Sequence, residues 1–172
     1  RPRSTAQASP VRSNALPKDP RELRKLAAKA TGLTERDFGQ DAAAVDDLFD
    51  AIEVAVNRLY RERRDPALPL GEQLQRAVAA EGYLGNRLRT LELSKRQQFS
   101  TPLPLAEATA YALDLRPGET IVEPTAGTGN LLAPLPRDAI ILANEIDPRR
   151  AEGLRLQGYD ARQEDALRVE LP

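Results

Sequence analysis

Between Asp41 and Arg64, apolar residues recur at three- and four-residue steps: Val45, Leu48, Phe49, Ile52, Val56, Leu59 and Tyr60. That spacing lays them along one stripe and predicts a long amphipathic helix. Asp41, Asp46 and Asp47 lie towards its N-terminal half, and Arg58, Arg61, Arg63 and Arg64 crowd its C-terminus. Both placements complement the helix dipole. Asp65-Pro66 stops the helix, because a residue before proline is pushed out of the α region. Upstream, Asp19-Pro20 reads as an N-cap with proline at the first helical position, opening a helix through Ala27 that Gly32 closes. Downstream, residues 71–80 predict a helix with Leu74, Ala77 and Val78 inward. A weaker helix is expected over 81–96, with Gly82 and Gly85 against it. Residues 1–17 have no periodicity and read as a flexible arm, so the helical region spans 18–95.

From Gln97 the pattern changes. Pro102-Leu103-Pro104 leads into a short helix over 105–113, and Arg116-Pro117-Gly118 makes a turn. Thr120-Ile121-Val122-Glu123-Pro124 is a β-prone run ending at a glycine-rich loop. Leu131 and Leu132 begin a helix that is cut short near Pro134. Residues 139–145 form a second, buried strand, Asp147-Pro148 caps a helix running to about Gln157, and residues 158–163 supply a turn and a third strand. This β-α-β-α-β alternation predicts an α/β fold for residues 96–172: the first half of a Rossmann-like, doubly wound parallel sheet.

Composition narrows the chemistry. The chain has 172 residues, enough for one well-buried domain. Aromatic residues make up only 4%, so Leu, Val, Ile and Ala must build the core. With 25 basic against 26 acidic residues there is no global cationic field, and nucleic-acid contact would need a local patch. Two basic clusters offer one, at Arg58 to Arg64 and at Arg87, Arg89, Lys95 and Arg96; solvated helix faces are the alternative reading. Cys and His are absent, which removes disulfides, thiolate nucleophiles, imidazole bases and Cys/His zinc sites, and no metal is expected. Met is absent even at position 1, so Arg1 reads as a processed or trimmed end. No apolar run approaches the roughly 18 residues of a membrane span and no signal-peptide core is present, so a cytoplasmic protein without membrane contact is expected.

The run Glu123-Pro124-Thr125-Ala126-Gly127-Thr128-Gly129-Asn130 follows a predicted strand and enters a predicted helix, a turn that would present free amides at a helix N-terminus. Its glycines let backbone pass close to a ligand. No Lys-Ser/Thr follows them, so this is not a phosphate-cradling Walker loop, and the third spaced glycine of a dinucleotide fingerprint is missing. Alone it reads first as a tight strand-to-helix turn. Glu145 and Asp165 then close the second and third strands, at intervals of about twenty residues. Taken singly, Glu145 reads as a solvated strand-end charge; together with the loop, a carboxylate there can accept both hydroxyls of a ribose, and one at Asp165 can accept from an adenine amino group.

Together these residues resemble a known family. Val122-Glu-Pro-Thr-Ala-Gly-Thr-Gly-Asn-Leu-Leu132 is similar to the first motif of class I S-adenosylmethionine-dependent methyltransferases, in the form typical of adenine-N6 DNA methyltransferases. Asn144-Glu-Ile-Asp-Pro148 resembles their second motif and Glu164-Asp-Ala-Leu167 their third, while Gln98-Phe-Ser-Thr-Pro102 resembles the displaced tenth motif of N-terminally permuted members. The stretch from Leu93 to Leu105 is also similar to large bacterial, phage and plasmid proteins that join such a domain to a strawberry-notch-type helicase.

The resemblance implies S-adenosyl-L-methionine as cofactor, and DNA, the remaining half of the methyltransferase and a helicase domain as partners. It puts Phe99, Ser100 and Thr101 near the methionine end, with Thr101 a candidate donor to the carboxylate and Glu123 answering the ammonium. Thr125, Ala126, Gly127, Thr128 and Gly129 form the cofactor loop. Glu145 takes the ribose hydroxyls, Ile146 packs on the adenine, and Asp165 with the Ala166 amide reads the adenine edge. For Phe99 and Ile146, core packing is the alternative. No catalytic residue is expected, because the Asn/Asp/Ser-Pro-Pro-Tyr/Phe tetrapeptide that holds the target amine in such enzymes does not occur in this sequence. The chain alone is thus expected to bind cofactor without turnover. Two other readings stay open: a non-catalytic scaffold module of a larger nucleic-acid-processing protein, and a small-molecule or RNA methyltransferase sharing the first motif.

Overall fold

The computed structural model describes residues 42–84, 100–116 and 118–168, together with Lys25, which is helical. The arm expected at 1–17, nearly all of the helix expected to open at Asp19-Pro20, residues 85–96 of the helix expected over 81–96, and Phe99 lie outside the described residues. Of the helix expected over 81–96, Glu81 instead ends the preceding helix, and Gly82 to Leu84 form a turn.

Among the described residues after Lys25, three helices precede the sheet. Helix α1 spans Ala42–Arg63 and turns Ile52, Val56 and Tyr60 into the interior, as the apolar spacing predicts. The same face also buries two polar residues, Glu53 and Asn57. Helix α2 spans Leu70–Glu81. Its inward residues are Gln73 and Ala77, whereas Val78, expected inside, is 58% exposed. The difference is one helical step: Gln73 and Ala77 are four apart and share a face, and Val78 is rotated about 100° away from it. Gln73 is held there by its amide, which donates to the Leu68 carbonyl at 2.6 Å and accepts from Arg64 at 3.1 Å. After α2 the chain turns through Gly82, Tyr83 and Leu84.

Helix α3 spans Leu103–Leu113, starting earlier than the sequence suggests. Proline is tolerated in a first turn because the N–H it lacks would have no intrahelical partner, so Pro104 belongs to the helix. Strand β1 (Thr120–Glu123), strand β2 (Ile140–Asn144) and strand β3 (Ala161–Arg162) form a parallel sheet in the order β1-β2-β3. Glu123 lies beside Ala143, and Asn144 beside Arg162, so the carboxyl ends of all three strands meet. Helix α4 (Pro148–Leu156) joins β2 to β3. It starts as expected at Asp147, whose side chain accepts from the Arg149 and Arg150 amides.

Two sequence expectations fail within the sheet. No helix forms at Leu131-Leu132; residues 127–135 run through successive turns instead. One α-type bond closes, from the Ala133 N–H to the Gly129 carbonyl, but Pro134 has no N–H to extend it. Nor is β2 buried throughout: Ile140 is exposed and only Ala143 and Asn144 are fully inside. The architecture is therefore α/β, with a small parallel three-stranded sheet among helices.

Two apolar clusters hold the elements. One gathers Ile52, Val56 and Tyr60 of α1 with Ala77, Leu103 and Ala133. The other joins Ala110, Leu132, Ala143, Leu154 and Tyr159. Helix α1 also touches α4 closely: a Cβ added to Gly153 would lie 2.8 Å from Val54 Cγ2. Ion pairs Asp47–Arg149 and Asp50–Arg150 bind the same two helices. Among the described residues no helix is long and apolar enough to cross a membrane.

Candidate ligand-binding site

A cavity of about 790 Å³ opens where the three strand ends meet. Its walls come from the Ser100-Thr101 segment before α3, the loop after β1, the residues after β2, and those after β3. Asn144 ties these loops together. Its side-chain nitrogen donates to the carbonyls of Pro124 (3.0 Å) and Glu164 (2.9 Å), and its oxygen accepts from the Glu164 N–H (3.0 Å). Being 1% exposed and fully partnered, it fixes the spacing of three loops at once.

The glycine-rich loop bends sharply through Gly127 (φ 56°) and Gly129 (φ 92°), conformations that strain a side-chain-bearing residue. Gly129 is closely packed as well, since an added Cβ would meet Leu154 Cδ2 at 3.0 Å. Glu145 anchors the loop from below. It is 5% exposed; Oε2 accepts from the Gly127 N–H at 2.8 Å and Oε1 from the Asp147 N–H at 2.9 Å. A carboxylate has about four acceptor positions, so Glu145 keeps capacity for two more donors. It is a bonded wall residue and not a solvated strand-end charge. Burial opposes ionisation of Asp147, but donation from the Arg149 and Arg150 amides outweighs it and holds the carboxyl below its ordinary value.

Most residues expected at a site are brought together. Ser100, Thr101, Thr125, Ala126, Gly127 and Thr128 line the cavity, as do Glu145, Ile146, Asp165 and Ala166 across from them. Ile146 is 60% exposed on that wall and is not core packing. Asp165 is half-buried and accepts from the Leu167 N–H at 3.0 Å. Glu123 and Gly129 do not line the cavity. Glu123 folds onto its own turn, accepting from the Thr125 N–H at 3.0 Å and its hydroxyl at 3.3 Å. Phe99 is outside the described residues.

Sequence reasoning missed a supporting layer supplied by α1. Asp50 pairs through both its oxygens with Arg150, whose side chain is 4% exposed and lines the cavity. Glu53 accepts from Ser100, Thr128 and Asn130, and Asn57 donates to the Thr128 carbonyl and to Asn130 Oδ1. The signal was present: Glu53 and Asn57 interrupt a face otherwise made of Ile52, Val56 and Tyr60. The arginines at the end of α1 have internal partners too. Arg58 pairs with Glu62, Arg61 lies over the Tyr159 ring, and Arg64 bonds buried Glu107. The other basic cluster, from Arg87 to Arg96, lies outside the described residues.

No family model matches the chain, and neither does any curated protein or solved structure.

Proposed function

We propose that this cavity binds S-adenosyl-L-methionine, and that the chain is the cofactor-binding portion of a protein similar to the adenine-N6 DNA methyltransferases, built on the first half of a Rossmann-like sheet. The observation that carries the reading is the convergence of the glycine-rich loop, Glu145 and Asp165 on one cavity at the ends of three adjacent parallel strands. Ligands of open parallel sheets bind outside those carboxyl ends. A volume of about 790 Å³ falls within the ordinary range of small-molecule sites.

The residues fit such a cofactor. Glu145, with two acceptor positions left, would take the ribose hydroxyls, and exposed Ile146 offers apolar surface to the adenine. Asp165 would accept from the adenine amino group, and residues 125–128 would wrap the methionine portion. The bound cofactor would supply a sulfonium methyl for transfer to an exocyclic amine. The work of this chain would be positioning and exclusion of water. DNA, the remaining methyltransferase half and a helicase region are the partners that belong to this reading, and a cytoplasmic setting goes with it. Binding, not turnover, is the activity proposed for the chain itself.

Calorimetric titration with S-adenosylmethionine tests the proposal. Saturable one-site binding is expected, and Glu145→Ala should weaken it at least about tenfold, the worth of a hydrogen bond to a charged group. A folded protein showing no saturable binding would sink the reading and favour a scaffold role. Unchanged affinity in folded Glu145→Ala would remove Glu145 from the site.

A further inference from the structure

Helix α1 does not line the cavity, yet Glu53 lies just behind it at 7% exposure. Its Oε2 accepts from Ser100 Oγ and from Thr128 Oγ1, each at 2.6 Å, and its Oε1 accepts from Asn130 Nδ2 at 3.3 Å. The two short distances are those of charge-assisted hydroxyl–carboxylate bonds. A hydroxyl has one proton to give. Thr128 Oγ1 also lies 3.2 Å from Asn130 Oδ1, but the contact to the Glu53 carboxylate, at 2.6 Å, is much shorter and takes the single threonine proton.

Ser100 and Thr128 both line the cavity, and with their protons committed to Glu53 they can only accept. The Asn130 amide is committed in the same way, donating to Glu53 and to the Thr101 carbonyl at 2.9 Å. Among the described residues no Lys or Arg forms an ion pair with Glu53. The Ser100 and Thr128 side chains therefore face this end of the cavity as acceptors with a buried carboxylate behind them, an arrangement costly to leave without a cation. We propose that Glu53 is a positioning residue that makes this end select a ligand bearing a protonated amine. The inference rests on the cofactor reading, in which that amine is the ammonium of the methionine portion. The role expected of Glu123, whose carboxylate is folded onto Thr125, would pass to the hydroxyls backed by Glu53.

The test compares S-adenosylmethionine with its analogue lacking the α-amino group, by calorimetry on the wild-type chain and on Glu53→Gln, with thermal unfolding as the check on folding. The wild type should prefer the amine-bearing ligand at least about tenfold. Glu53→Gln should lose about that factor for S-adenosylmethionine and keep its affinity for the analogue, so that the preference collapses. Equal losses for both ligands would make Glu53 merely structural and overturn the proposal, as would a wild type with no preference. If Glu53→Gln does not fold, Ser100→Ala carries the same comparison, with the same collapse expected. A wild type that binds neither ligand removes the cofactor reading and this inference with it. One that binds both equally removes only the inference.

Discussion

Two buried tyrosines differ in one respect that decides what each hydroxyl is worth. Tyr60 donates to Glu107 at 2.5 Å, and Glu107, 0% exposed, also takes Arg64 Nη2 at 2.7 Å. The Tyr159 hydroxyl is buried and makes no well-aligned hydrogen bond among the described residues; the charge beside it is the Arg61 guanidinium that lies over the ring. Tyr60→Phe should therefore cost about 1.5–3 kcal/mol, whereas Tyr159→Phe should be neutral or stabilising by about 1 kcal/mol. Urea midpoints at unchanged slope would measure both, and a loss above about 1 kcal/mol in Tyr159→Phe would reveal a partner for that hydroxyl. The same pair sets an alkaline limit. Burial, and for Tyr60 also the neighbouring Glu107, raises both phenols above their ordinary value of 10.0. Below pH 10 they are protonated in the folded and unfolded chain alike, and their stabilising effect is fully present. Above it the unfolded chain releases protons that the folded chain keeps, so stability falls as pH rises. Tyrosinate absorbance at high pH should accordingly appear together with unfolding for these two residues, and Tyr60→Phe should flatten the decline. A decline as steep in Tyr60→Phe as in the wild type would locate its cause elsewhere.

At the scale of elements, the contact of α1 with α4 is set by a glycine. Helix propensity alone makes Gly153→Ala stabilising by about 1 kcal/mol. Packing predicts the opposite sign, because the new methyl would sit 2.8 Å from Val54 Cγ2, on a β-branched side chain with little freedom to move. Overpacking of this kind costs about 1–3 kcal/mol, so Gly153→Ala should destabilise, and adding Val54→Ala should recover part of the loss. A double-mutant cycle by chemical denaturation reads the coupling; purely additive effects would mean that the helices do not meet there. Such contacts also mark how far the sequence could be read. Helices α1, α2 and α4 and all three strands were legible, because periodicity, Asp147-Pro148 and the flanking turns are local signals. The helix expected at Leu131 was not formed, since Gly129 and Pro134 leave only one α-type bond. The cavity wall was largely legible as motif residues. Its support was not: Glu53 and Asn57 visibly break the apolar face of α1, but their partners lie 47 to 77 positions away, which no local pattern encodes.

For the whole molecule, the question is whether ligand binding is felt beyond the walls of the cavity. The loop residues Thr128 and Asn130 are bonded to Glu53 and Asn57, and Arg150 on the wall is paired with Asp50. One face of α1 is thus the common support of the glycine-rich loop, the Ser100-Thr101 segment and the start of α4. If the cavity binds S-adenosylmethionine, the ligand at about one hundred times its dissociation constant should stabilise the folded chain by about 2.7 kcal/mol. Because α1 shares buried polar partners with the loop, its amides between Asp50 and Tyr60 should gain protection from hydrogen exchange along with those of residues 125–130, although α1 itself does not line the cavity. Protection confined to the loops would mean that α1 opens independently of the site. Protection that extends into α1, and that Glu53→Gln reduces there while the loops keep theirs, would show the helix to be coupled to the pocket through its buried carboxylate.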